Sequence, residues 1–177
     1  MKKSWILMGA ATLLIATGCS EKTEGSPDKE VVAQDQQKEV KSALLDFQMN
    51  LVSVINQHDG VLYDLEKEKE KEEDRLSDEQ LESGISEGSI AVSSLNKGLK
   101  EIEIQNKEVL SDHKEELDDI VNTFVAAFSK WDEEQNIQDD AGFKAFEEEF
   151  KKAEEKLNKI YKEVGLAEVS ILKATLN

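Results

Sequence analysis

Val40, Leu44, Phe47, Leu51, Val54, His58, Val61 and Leu65 stand four and three residues apart in alternation. Only an α-helix brings such positions to one face, because a helix repeats about every 3.6 residues and a strand every two. Leu45, Val52, Ile55 and Leu62 widen the stripe on one side. A two-stranded coiled coil needs only the narrow seam, so a face this wide asks for more than one neighbouring helix. The chain holds a single proline, Pro27, and no segment alternates with period two for long enough to form a strand. The expected fold is all-α: an elongated, antiparallel bundle of three to four long helices over residues 28–177.

Local signals divide this pattern into helices. Ser26 and Pro27 mark a helix start, a hydroxyl to cap and a proline at the first helical position, with Asp28 and Glu30 in the first turn. The first helix is expected to run past Leu65 into a solvated, charge-dense end. Ser77 and Gln80 then have the spacing of a capping box, and Leu76 and Leu81 that of a hydrophobic staple. The second helix carries Leu81, Ile85, Val92, Leu95, Leu99 and Ile102 on one stripe. Gly84, Gly88, Ala91 and Gly98 form a row beside it. Each glycine costs a water-soluble helix about 1 kcal/mol relative to alanine, and close approach of a neighbouring backbone would compensate. With a reversal near residue 74, antiparallel partners should have numbers summing to about 149. Leu110, Ser111 and Asp112 repeat the Leu76, Ser77 and Asp78 start signal, which favours a break near Ser111. Residues 133–140 read as a turn. Phe143, Phe146, Phe150, Ala153, Leu157, Ile160 and Val164 read as a last long helix ended by Gly165, with a further short segment through Val169, Leu172 and Leu176.

Phe124, Phe128 and Trp131 mirror Phe143, Phe146 and Phe150 about residue 137. That symmetry suits the core of a helical hairpin. The competing reading is a pocket for a small apolar ligand among Phe124, Phe128, Trp131, Phe143 and Phe146. The two histidines, His58 and His113, both lie on apolar stripes too far apart along the helices to share a metal, and the residues three before them are Ile55 and Leu110. They read as polar residues in a seam, so neither a metal nor a bound cofactor is expected. Catalysis is not expected either. The chain has no Gly-x-Ser-x-Gly motif and no phosphate-binding glycine loop.

The amino terminus carries a signal of another kind. Lys2 and Lys3 precede an apolar run over residues 5–17, which leads into Thr17, Gly18, Cys19 and Ser20. A charged start, a short apolar stretch and small residues before a cut site make an export signal. The run is shorter than the roughly 20 apolar residues that span a bilayer. Cys19 is the only cysteine, so no disulfide can form within the chain. The segment Ile15, Ala16, Thr17, Gly18, Cys19 and Ser20 resembles the lipobox of bacterial lipoproteins, with Ala16 where that family usually has leucine. The resemblance covers the first 20 residues. It implies removal of residues 1–18 as a signal peptide and a diacylglycerol on the Cys19 sulfur, with the new amino end either free or acylated. Residues 19–27 then form a polar tether. Two or three acyl chains hold a protein on a membrane where one holds it marginally.

Charge narrows the partners. The net charge of −17 becomes −19 when residues 1–18 leave, because they carry two lysines and no acid. So acidic a surface excludes nucleic acid, and it offers no basic patch for anionic lipid. The lipid on Cys19 must provide the anchor. The chain also resembles the small, Lys/Glu-rich, all-helical lipoproteins of Gram-positive bacteria, the cell-wall-binding lipoproteins of the YkyA type among them. The lipobox, the charge-rich helices and the length carry that likeness, and it transfers no functional residue. The expected protein is therefore a lipid-anchored envelope lipoprotein on the extracytoplasmic face of the cell membrane. Its helices would bind or space cell-wall polymer or an envelope protein. The alternative is a carrier or chaperone for a small apolar ligand.

Overall fold

The computed structural model describes residues 27–71, 73–104, 108–135, 137 and 140–175. The chain is all-helical, with no strand among the described residues. Among the described residues six helices follow in order: α1 (Pro27–Asn56), α2 (Gly60–Lys69), α3 (Asp78–Lys100), α4 (Lys114–Glu134), α5 (Ala141–Val164) and α6 (Ile171–Thr175). A 3₁₀ turn, Ser111–His113, leads into α4.

The first apolar stripe does not form one helix. It is interrupted after Asn56, where Asp59 and Gly60 add two residues that favour turns. The backbone stays bonded through the kink: the amides of His58 and Asp59 both donate to the Ile55 carbonyl, at 3.0 and 3.1 Å. The amide of Leu62 donates to the Asp59 carbonyl at 2.9 Å and starts α2. The inward register also differs from the strict heptad. Leu44, Phe47, Leu51 and Ile55 are buried, followed by Asp59, Leu62 and Glu66, while Val61 turns outward. A helix has about 3.6 residues per turn, so a stripe counted in sevens drifts off its face within a few turns. That drift brings two carboxylates into the interior.

The second helix starts as its cap predicts. Ser77 accepts from the Gln80 amide, and the Gln80 side chain accepts from the Ser77 amide at 3.0 Å. Leu81 is fully buried and Leu76 packs against the core. The glycine row is a packing surface. A Cβ on Gly84 would lie 2.8 Å from Leu65 Cδ1, and one on Gly98 would lie 2.9 Å from Val54 Cγ1. One on Gly88 would collide with the Trp131 ring and press on Leu62. The pairs 84 with 65, 88 with 62 and 98 with 54 show α3 running antiparallel to α1 and α2. α3 ends at Lys100, short of Ile102, and the expected break falls between there and Lys114.

α4 and α5 form the most extensive helix pair. Phe124 meets Phe150 with ring centroids 4.8 Å apart, and Phe128 meets Phe146 at 5.0 Å. Both pairs are symmetric about residue 137. Further along, Lys156 Nζ reaches Asp119 Oδ2 at 2.7 Å and Thr123 Oγ1 at 2.8 Å. Gly165 ends α5 with φ +73°, a left-handed conformation that glycine adopts without steric cost. The Leu166 amide bonds back to the Tyr161 carbonyl at 2.7 Å and closes the helix end. The chain then doubles back. Asn158 donates to the Val169 carbonyl and accepts from the Val169 amide, both at 2.8 Å. Glu154 accepts from the Leu172 amide at 2.8 Å. These contacts place α6 against α1 with Ile171 buried. Tyr161 ties α5 to α1 by donating to Gln48 Oε1 at 2.7 Å, and burial pushes its phenol above the ordinary tyrosine range.

Candidate functional site

Residues 1–26, which include the expected signal peptide, Cys19 and most of the expected tether, lie outside the described residues. The first described residue is Pro27, the start of α1. Among the described residues, no helix is long and apolar enough to cross a membrane.

The aromatic residues that could line a pocket instead fill space with one another. Trp131, Phe124, Phe128, Phe146 and Phe150 are all almost fully buried, and Phe143 packs against them. Phe128 meets Phe150 at 6.0 Å with nearly perpendicular rings, and Tyr63 meets Phe143 at 5.9 Å in the same way. These are the edge-on contacts that ring quadrupoles favour. The volume between α4 and α5 is occupied by the rings themselves. A hollow of about 460 Å³ lies elsewhere, beside the start of α4, with Ile102, Ile104 and Leu110 among its walls and Lys100, Lys114 and Asp118 around them.

A buried polar network joins α2 to α4. Glu66 Oε1 accepts from Trp131 Nε1 at 3.1 Å and from Gln135 Nε2 at 2.9 Å. Lys69 Nζ lies 3.2 Å from Glu66 Oε2 and donates to Gln135 Oε1 at 3.0 Å. The side chains of Lys69 and Glu66 are only 5% and 7% exposed, so the pair is cut off from water. Removing one member of such a pair strands a charge, whereas replacing the whole group with apolar residues can be neutral. The network therefore fixes where Trp131 sits rather than supplying a reactive group. Sequence pattern alone did not reveal it, because Glu66 falls where the stripe appears to give way to a charged, solvated end. Arg75 makes a second tie at this end by donating to the Ile137 carbonyl at 2.7 Å.

Asp59 is the other inward carboxylate. It is 4% exposed, and its Oδ2 has no hydrogen-bond partner among the described residues. Burial pushes its carboxyl above the ordinary value, against smaller lowering from its own amide, the Gly60 amide and His58.

The histidines end in different places. His58 is half-buried in the kink between α1 and α2. His113 closes the 3₁₀ turn before α4, with Nδ1 3.3 Å from Glu116 Oε2. Glu163, in the last turn of α5, completes a group of three metal-capable side chains with them. The local signal for this group is His-x-x-Glu from His113 to Glu116, the reverse of the Glu-x-x-His order in di-iron bundles. Its third member comes from a distant helix and has no local signature.

Searches against protein-family models, curated proteins and solved structures gave no match to this chain.

Proposed function

We propose that this protein is a lipid-anchored envelope lipoprotein whose helical bundle acts as a binding or spacing module on the extracytoplasmic face of the cell membrane. The observation that carries this reading is the lipobox-like run ending at Cys19, the only cysteine, ahead of an all-helical body. Residues 1–18 are the cleaved signal and residues 19–27 the tether. The antiparallel bundle follows, built mainly from the four long helices α1, α3, α4 and α5. The partner is cell-wall polymer or another envelope protein. A protein is the better electrostatic match, because the mature chain shares its negative charge with anionic wall polymers and would be repelled by them. No enzymatic role is assigned. A carrier role would need space among the rings of Phe124, Phe128, Trp131, Phe143 and Phe146, and those rings pack on one another.

Cell fractionation of Cys19→Ser tests the anchor. Without the thiol there is no acyl acceptor, so the variant should leave the membrane fraction or accumulate uncut. Normal processing with retention on membranes would reject the reading. Crosslinking in intact cells, followed by identification of the captured molecule, then decides between wall polymer and protein.

A further inference from the structure

His113 and Glu116 are one helical turn apart, so their side chains share a face at the start of α4. α5 runs antiparallel, and its last turn brings Glu163 beside them. One imidazole nitrogen and one oxygen from each carboxylate lie within 4.8 Å of one another. The His113 side chain is 19% exposed, so its ring is held in place while the two glutamates reach solvent. One turn along α4, Lys156 of α5 bridges to Asp119 across the same helix pair.

Charge and donor chemistry point the same way. Lys159 Nζ lies 3.6 Å from Glu116 Oε1 and 3.9 Å from Glu163 Oε1. One ammonium faces two carboxylates, so it does not balance their charge. Both contacts are long and the Lys159 side chain is 68% exposed, so it can swing into water. An imidazole with two carboxylates suits zinc and its neighbours in the first transition row, whereas calcium and magnesium favour oxygen donors alone. Zinc holds such ligands at about 2.0–2.2 Å. Drawing the three donors together from 4.8 Å takes rotation of two flexible glutamate side chains, not movement of the helices.

We propose that this end of the α4–α5 hairpin is a divalent transition-metal site of the zinc class. His113, Glu116 and Glu163 are its ligands, water completes the coordination, and Lys159 is a built-in competitor for the carboxylates. His58 takes no part. The site does not depend on what the bundle binds or on how it is anchored.

The test uses the full-length protein in detergent, stripped of metal by a chelator and titrated with zinc chloride in a calorimeter. One zinc per chain is expected. His113→Ala and Glu163→Gln should each weaken binding by about tenfold or more, at least the loss seen when a metal site's supporting partners are removed. His58→Ala should leave binding as it was. Lys159→Met should tighten it, because the competing ammonium is gone; misfolding does not produce that result. If circular dichroism shows that a ligand variant has lost helix, Lys159→Met decides. No zinc uptake, or uptake that His113→Ala leaves unchanged, overturns the site. An affinity unmoved by Lys159→Met overturns the competitor role, and where the ligand variants have lost helix it overturns the site as well.

Discussion

Between α4 and α5 the interior is rings on rings, while the arm formed by α1 and α2 packs leucines around two inward carboxylates. Both regions carry apolar stripes of similar strength. In the hairpin the stripes stay in register through two unbroken helices, and apart from Thr123 the inward positions described in α4 and α5 hold apolar side chains or glycine. In the arm the stripe kinks after Asn56, and drift toward the true helical repeat turns Asp59 and Glu66 inward. The fates of these two acids differ again. Glu66 meets Trp131, Gln135 and Lys69, whereas Asp59 Oδ2 meets no donor among the described residues. A carboxylate is tolerated inside where donors converge on it, and where they do not it weighs against the fold.

The largest effect should come from breaking the better-packed region. Phe146 lies within 5.0–5.7 Å of the Phe128, Phe150 and Phe143 rings. Phe146→Ala should cost about 3–5 kcal/mol, read from the midpoint of chemical denaturation. A loss within about 0.5 kcal/mol, the size of an ordinary surface change, would mean that the rings are not close-packed and would return the carrier reading to the front.

A smaller effect should follow at the seam between the two regions. Gly88→Ala gains helix propensity but drives a methyl group into the Trp131 ring. Overpacking of about 1–3 kcal/mol should outweigh the gain of about 1 kcal/mol, leaving a net loss of about 1 kcal/mol. The Trp131 fluorescence spectrum should shift with it, because the ring must move against Glu66. A more stable variant with an unchanged spectrum would show that the helices stand further apart than described.

Asp59 sharpens the comparison from the other side. Its folded carboxyl is raised above 3.8 chiefly by burial. The fold therefore favours the protonated acid. Stability from this group is present below pH 3.8 and is lost as pH rises through the folded value. Asp59→Asn keeps the shape without the charge. It should stabilise the protein by about 1 kcal/mol at pH 7 and give no gain near pH 3. Destabilisation at pH 7 would mean that the Asp59 and Gly60 amides favour the carboxylate more than burial penalises it, and that the arm is not the weaker half.

Much of the architecture is legible in the residues, for reasons that are local. The Ser77 box, the Gly165 stop and the mirror symmetry of the phenylalanines each depend on spacing within a few turns. The antiparallel sum for α3 followed from one reversal point, and Gly84 against Leu65 meets it. The kink at Asp59 was hidden by counting in sevens, although Asn56, Asp59 and Gly60 together are a turn signal. The Glu66 network and the His113, Glu116 and Glu163 group depend on helices brought together from distant parts of the chain. Sequence spacing carries no trace of such meetings, and Glu163 looks like any other acid on a solvated face.

The central claim is that this helical module is held to a membrane through Cys19, and the mass of the mature amino-terminal peptide tests it most directly. The protein is taken from the membrane fraction, digested, and its amino-terminal peptide weighed. The account predicts a peptide that begins at Cys19 and carries a diacylglycerol on sulfur, with or without an acyl group on the amine. A peptide with a free Cys19 thiol, or one that still contains residues before Cys19, would contradict it.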